Sequence, residues 1–140
     1  MTQAAIAKRL ATIAQSAARG CWKQSAAQAE AMPHIPAIGA ALIRAGKVGA
    51  SPKTLSHAAG CTVAQAQHVL DALESGGFAM EWGEGSEVWR LDTVQILARE
   101  NRAALEALHA STAHERDAVA GAVAKKLKDA LQAQTGGKNG

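Results

Sequence analysis

The chain has 140 residues, a net charge of +3 and two cysteines, which suits one domain with a real core. Alanine supplies 34 residues and aromatic residues only 3%, and because alanine is the strongest helix former, this composition predicts closely packed helices. No segment approaches the ~18 apolar residues of a membrane span, the N-terminus is not a secretory signal, and Cys21 and Cys61 make no disulfide framework. We therefore expect a cytoplasmic protein without membrane contact.

The charges are unevenly distributed along the chain. Residues 1–50 hold six basic residues against one acidic residue, residues 51–91 hold two against five, and residues 92–140 hold seven against six. The mild basic bias permits nucleic-acid binding without requiring it.

Two helices are predicted in residues 1–34, which we interpret as an N-terminal helical arm. The first has an apolar stripe at helical spacing, made of Ile6, Leu10, Ile13 and Ala17. Ser25 and Gln28 form a capping-box pattern that opens a short helix ending before Pro33. The pair Pro33 and Pro36 brackets a linker or a helix entry.

A helix over residues 35–45 is predicted next, ending at Gly46, with one apolar side made of Ile35, Ile38, Leu42 and Ile43. Ser51 followed by Pro52 predicts the start of the following helix, because a hydroxyl N-cap precedes proline at the first helical position. That helix ends at Gly60 and directs two apolar side chains inward, Leu55 and Ala58.

Thr62 and Gln65 form a second capping-box pattern, which opens a third helix in this region. Its inward stripe is Ala66, Val69, Leu70 and Leu73, and Gly76-Gly77 ends it. Alternation then predicts a β-hairpin with residues 83–86 as its loop and with the pairs Trp82–Glu87, Met80–Trp89 and Phe78–Leu91. In this register one face carries Phe78, Met80, Trp89 and Leu91 toward the core.

Two helices are predicted after the hairpin. Asp92 with Gln95 caps the first, and Thr112 with Glu115 opens the second, whose stripe is Val119, Val123, Leu127 and Leu131. We interpret residues 92–133 as a helical dimerisation region. The stripe of the last helix and the N-terminal stripe of Ile6, Leu10 and Ile13 leave apolar faces that the middle of the chain cannot fully cover. Residues 134–140 have little to bury and are expected to form a disordered tail.

Residues 35–91 resemble the winged helix-turn-helix domain of bacterial transcription regulators of the MarR and IclR families. The matching positions are Leu42, Gly46, Ser51, Leu55, Gly60, Thr62, Val69, Leu70, Leu73, Gly77 and 88–91. Helices on both sides of this stretch resemble the MarR arrangement, in which terminal helices build a homodimer. The resemblance implies a mostly α protein that binds double-stranded DNA as a dimer. The sequence shows no catalytic triad, paired carboxylates or Gly-rich phosphate motif, so we expect no catalytic residues and no cofactor. MarR wings carry basic residues, whereas this loop carries Glu84.

The resemblance also implies which residues face DNA. On the third helix of the domain, it directs Thr62, Val63, Ala64, Gln65, Gln67 and His68 toward the major groove. Glutamine can bond adenine, histidine can donate to guanine, and valine or alanine can contact a thymine methyl group. Phosphate contacts would come from Lys47, Ser51, Lys53 and Arg90, although Glu81 is near enough to pair with Arg90. The alternative is that Gln65 only caps its helix and the other side chains are solvated.

A second interpretation makes the acidic hairpin a docking surface for a basic protein, so that the chain is an adaptor or accessory factor. Cys21 near basic residues fits either an oxidant-sensing thiolate or a buried small side chain. The spacing of His57, Cys61 and His68 matches no zinc pattern. The run Lys125, Lys126 and Lys128 fits either phosphate contacts or a helix C-terminus whose dipole it complements.

Overall fold

The computed structural model describes residues 7–8, 10–12, 15, 26–75, 79–81, 87–91, 107–108 and 110–136. This part of the chain is mostly helical, with one two-stranded antiparallel sheet. Residues 7–8, 10–12 and 15 are helical and are called α1. The other elements are α2 (Ala26–Ala31), α3 (Ile35–Ala45), α4 (Pro52–Ala59), α5 (Val63–Ser75), β1 (Ala79–Glu81), β2 (Trp89–Leu91) and α6 (Ala113–Gly136).

Helix α3 lies at the centre of the fold and has the bounds predicted from the sequence. A 3₁₀ turn over Met32–His34 leads into it, so the two prolines form a helix entry. Gly46 ends it with φ 60°, and a second 3₁₀ turn, Gly46–Val48, follows. Its buried residues are Ile35, Ile38, Gly39, Ala40, Leu42 and Ile43.

The predicted starts of α4 and α5 are confirmed by their hydrogen bonds. The Thr54 N–H donates to Ser51 Oγ at 3.1 Å, which caps α4. Gly60 ends α4 in the left-handed region with φ 68°. The prediction that Ala58 faces inward was wrong: Ala58 is exposed, while Ser56 is buried and donates from Oγ to the Lys53 carbonyl at 2.8 Å.

The hairpin exists, but its predicted register was wrong by one residue. Ala79 pairs with Leu91, Met80 with Arg90, and Glu81 with Trp89. A one-residue slip moves side chains to the other face, so Met80 lies opposite Arg90 and not beside Trp89. Instead, Ala79 shares the core face with Trp89, and both are buried. The positions Phe78 and Trp82 lie outside the described residues.

Helix α6 packs along α3 in the same chain. Its stripe is buried there, with Val119, Val123 and Leu127 at most 2% exposed. The two helices approach closely, since a Cβ added at Gly39 would lie 3.2 Å from Leu127 Cδ1. The predicted homodimer rested partly on this stripe being uncovered, and that part of its basis was wrong. The homodimer stays a prediction without that support.

The C-terminal boundary also differs from the sequence prediction. Helix α6 continues to Gly136, into the segment 134–140 that was expected to be a disordered tail. At the other end of the chain, Ala7, Leu10 and Ala11 of α1 are buried in the same core cluster as α3. Leu10 is therefore inward as predicted, while Ile6, Ile13 and Ala17 lie outside the described residues. Within the described ranges, no helix combines the length and apolarity needed to cross a membrane.

Candidate nucleic-acid interface

Helices α4 and α5 pack against each other across a three-residue connection, residues 60–62. The Cys61 N–H donates to the Ser56 carbonyl at 3.0 Å, which extends the end of α4 into the turn. Helix α5 then buries Ala66, Val69, Leu70, Ala72 and Leu73. Its start is accessible: the capping residue Thr62 and the first two helical residues, Val63 and Ala64, are exposed, and Val63 is exposed by 49%. The arrangement is two packed helices with the start of the second one accessible.

Gln65 holds the first turn of α5 together. The Thr62 N–H donates to Gln65 Oε1 at 3.0 Å, and the Gln65 N–H donates to Thr62 Oγ1 at 3.1 Å. These reciprocal bonds satisfy two backbone donors that the helix start would otherwise leave open. Gln65 is half-buried and its amide oxygen is engaged as a cap. The capping alternative from the sequence is therefore present in the structure.

Gln67 and His68 lie one turn further along α5, and both are half-buried. The Gln67 side chain donates from Nε2 to Asp71 Oδ1 at 2.8 Å, a pairing that the i, i+4 spacing allows. Sequence reasoning missed this partner, although the spacing alone could have indicated it. A base contact by Gln67 would have to compete with this bond.

The predicted phosphate contacts are spread around the start of α4 and the hairpin. Lys53 is exposed on α4, and Ser51 Oγ, besides capping, donates to Thr54 Oγ1 at 3.0 Å. Lys47 lies in the 3₁₀ turn Gly46–Val48, and its side chain is outside what the structure describes. Arg90 is half-buried on β2, opposite Met80 and on the other face from Glu81. The sequence-based idea that Glu81 neutralises Arg90 across the hairpin does not fit this register.

The hairpin is fixed to the segment that precedes α4. Ala50 and Trp89 form an antiparallel bridge with two backbone bonds, 2.9 Å from the Ala50 N–H and 2.8 Å from the Trp89 N–H. Trp89 is 4% exposed, so its predicted core position is confirmed. The bridge holds the hairpin against the segment that leads into α4, and β1 also contacts α5.

The exposed charges on α5 and next to β2 are acidic. Asp71 and Glu74 are exposed on α5, and Glu87 is exposed just before β2 with φ 57°. Because DNA is a polyanion, these carboxylates oppose it wherever they approach the backbone. The first two turns of α5, residues 63–70, contain no carboxylate. Glu84 lies outside the described residues.

A groove lies between α4 and α3. It has a volume of about 410 Å³ and small apolar walls made of Ala41, Ala45, Val48, Ala50, Leu55 and Ala58. Val48 at its edge is 80% exposed, which sequence reasoning did not single out. Arg44 also borders it and donates from Nε to Asp117 Oδ1 at 2.6 Å.

No zinc pattern was predicted, and of the two cysteines only Cys61 lies among the described residues. Among the described residues, no three His, Cys, Asp or Glu side chains are grouped as metal ligands. Cys61 is a free, half-buried thiol, and burial raises the pKa of that thiol above its usual value. A raised pKa favours the protonated form, which is the less reactive one. Cys21, the candidate redox sensor, lies outside the described residues.

Comparison with known proteins gives no relative from which a role could be transferred. No family model, no curated protein and no solved structure matches this chain. The described residues define a mostly helical fold with one two-stranded antiparallel hairpin.

Proposed function

We propose that the chain binds double-stranded DNA as a transcription regulator, with α4 and α5 acting as a helix-turn-helix and the β1–β2 hairpin as its wing. The observation that carries this proposal is the accessible first turn of α5. Its residues Thr62, Val63 and Ala64 are exposed and uncharged, and the helix start is pre-formed by the capping box. A recognition helix contacts base edges with residues near its N-terminus.

Further support comes from the placement of the polar groups around that turn. Lys53 is exposed on the first turn of α4, where backbone N–H groups also favour an anion. The Ala50–Trp89 bridge holds the hairpin next to the segment that leads into α4, and β1 contacts α5. In this proposal Lys47, Ser51, Lys53 and Arg90 contact phosphates, and the first two turns of α5 face the bases.

The decisive experiment is a titration of random-sequence duplex fragments at several salt concentrations, beside selection of preferred sequences. A linear decrease of log affinity with log salt concentration supports the proposal, because each phosphate contact releases counterions. Gln67→Ala should cost about 1–3 kcal/mol at one base position and leave non-specific binding almost unchanged. An equal loss on every sequence would count against base readout by Gln67.

A second candidate function is a protein-interaction module that docks a basic partner. It is favoured by one specific observation: the exposed carboxylates Asp71, Glu74 and Glu87 lie on α5 and beside β2. Absence of DNA binding at low salt, together with capture of a basic polypeptide, would favour this candidate over the regulator.

A further inference from the structure

The length of α6 excludes one interpretation of its three lysines, namely that they complement the helix dipole. From the sequence, Lys125, Lys126 and Lys128 could complement the dipole at a helix C-terminus. However, α6 continues to Gly136, and its last turn contains no basic residue. Lys128 thus lies more than two turns before the end, at about 3.6 residues per turn, and the dipole effect is confined to the last turn. The dipole therefore does not account for these lysines.

Two of the three lysines, Lys125 and Lys128, face away from the core. Helix α6 buries Val119, Val123 and Leu127, and rotation of ~100° per residue places Lys125 nearly opposite this stripe and Lys128 about 60° from Lys125. Lys126 lies at the edge of the buried face, on the side where α1 approaches. All three lysines are exposed. Within the described ranges, the structure gives none of them an ion-pair partner. Asp129 is exposed beside them, so this stretch keeps a net positive charge.

Helix α1 lies next to these lysines. The Gln15 side chain donates from Nε2 to the Lys126 carbonyl at 3.4 Å, and α1 also presents an exposed Lys8. Positive charge is therefore carried by two neighbouring helices, whereas the exposed charges of α5 and the hairpin edge are acidic. A polyanion meets more favourable charge at α6 than along the outer face of α5.

The packing of α6 decides between two anionic partners. A membrane-surface helix needs a free apolar face to bury among the lipids. The apolar face of α6 is already occupied by α3. Its outward residues near the lysines are small, such as Ala118 and Gly121, which allows close approach to a regular backbone of phosphates.

We propose that the lysine cluster, defined as Lys125, Lys126 and Lys128, is a phosphate-contact surface for duplex DNA. It is sequence-independent and separate from the contacts assigned to α4, α5 and the hairpin. This inference rests on the proposed function in one respect, because both take duplex DNA as the ligand. The lysine cluster itself would bind a duplex of any sequence.

The test is the salt dependence of duplex binding by the full chain and by the variant Lys125→Gln, Lys126→Gln, Lys128→Gln. The slope of log affinity against log salt should become shallower by about 0.9 for each phosphate contact removed. Asp129→Asn is the matched control on the same surface, and it should strengthen binding because it removes a repulsive charge. Circular dichroism should report unchanged helix content for both, since all four side chains are exposed.

An unchanged salt slope in the triple variant overturns this inference, even if the protein still prefers particular sequences. Binding to anionic phospholipid vesicles that depends on the lysine cluster and exceeds DNA binding also overturns it. Conversely, the full chain could bind all duplex sequences equally while its salt slope still depends on the three lysines. That result contradicts base readout by α5 and supports this inference.

Discussion

A Cβ atom added at Gly49 would lie 2.7 Å from the carbonyl oxygen of Trp89, and equally close to Val88 Cγ1. Gly49 also has φ 75°, a conformation that L side chains rarely adopt. The close approach occurs where Ala50 and Trp89 exchange their two backbone hydrogen bonds. Glycine at position 49 therefore lets the hairpin dock against the segment before α4.

Gly49→Ala should lower the free energy of unfolding by more than Gly60→Ala. Both positions have positive φ, which costs about 1–2 kcal/mol for a residue with a Cβ. Only Gly49 adds a backbone clash, because a Cβ at Gly60 would meet no atom within 4 Å. Urea unfolding of the two variants measures the difference. Equal destabilisation would show that the hairpin does not pack closely on this segment.

The local features of the fold were predictable from sequence because their causes are local. The caps at Ser51, Thr62 and Thr112 each depend on a side chain three residues from its partner, and all three are present. The hairpin register was not predictable, since the distant Ala50 fixes the position of Trp89 through its backbone. Alternation alone could not distinguish Met80 from Ala79 as the core residue.

The candidate site was predictable only at the level of elements. The sequence places Gln65 and Gln67 on the correct helix, but their engagement with Thr62 and Asp71 depends on side-chain conformation. The covering of α6 by α3 is a tertiary contact, and an apolar stripe does not reveal whether its partner lies in the same chain. For that reason the stripe was assigned to a dimer interface.

Removing the α3–α6 contact should destabilise the monomer itself. Leu127→Ala should cost about 2–5 kcal/mol, because Leu127 is fully buried and its loss leaves a cavity. The control is Asp117→Asn, which breaks the Arg44–Asp117 pair between the same helices. That pair is 50% and 65% exposed, so its loss should cost at most about 1 kcal/mol. Similar costs for both variants, measured by denaturant unfolding, would argue against tight packing of α6.

Gln65 variants should separate helix capping from DNA contact. Gln65→Ala should cost about 1 kcal/mol of stability, because the Thr62 N–H loses its acceptor. Gln65→Glu should keep the capping box and most of the stability, since glutamate also accepts this bond. If α5 faces DNA, the same glutamate should weaken binding to all duplexes. Unfolding and duplex-binding titrations of both variants provide the check, and unaltered binding by Gln65→Glu would place this turn away from DNA.

Glu84→Lys should distinguish the two candidate functions by the sign of its effect. On the DNA proposal it should strengthen binding to every duplex and steepen the salt dependence, because a phosphate contact replaces a repulsion. On the protein-docking proposal it should weaken the complex with a basic partner, mainly through slower association. Titrations with duplex DNA and with the basic partner measure whether each affinity rises or falls. Unchanged DNA affinity at low salt would mean that the hairpin loop does not approach DNA.

The central claim is that the first turn of α5 faces DNA, and Ala64→Glu tests it most directly. Ala64 is exposed in a first turn that contains no acidic residue, so a glutamate there suits the helix dipole and should not harm folding. The matched control is Ala113→Glu, an exposed alanine in the first turn of α6. The measurement is duplex affinity at low salt for the unmodified chain and both variants. We expect Ala64→Glu to lower the affinity about tenfold or more, because like charges are brought together at the interface. Ala113→Glu should bind almost as the unmodified chain does. Equal affinity of the two variants would contradict the placement of α5 against DNA.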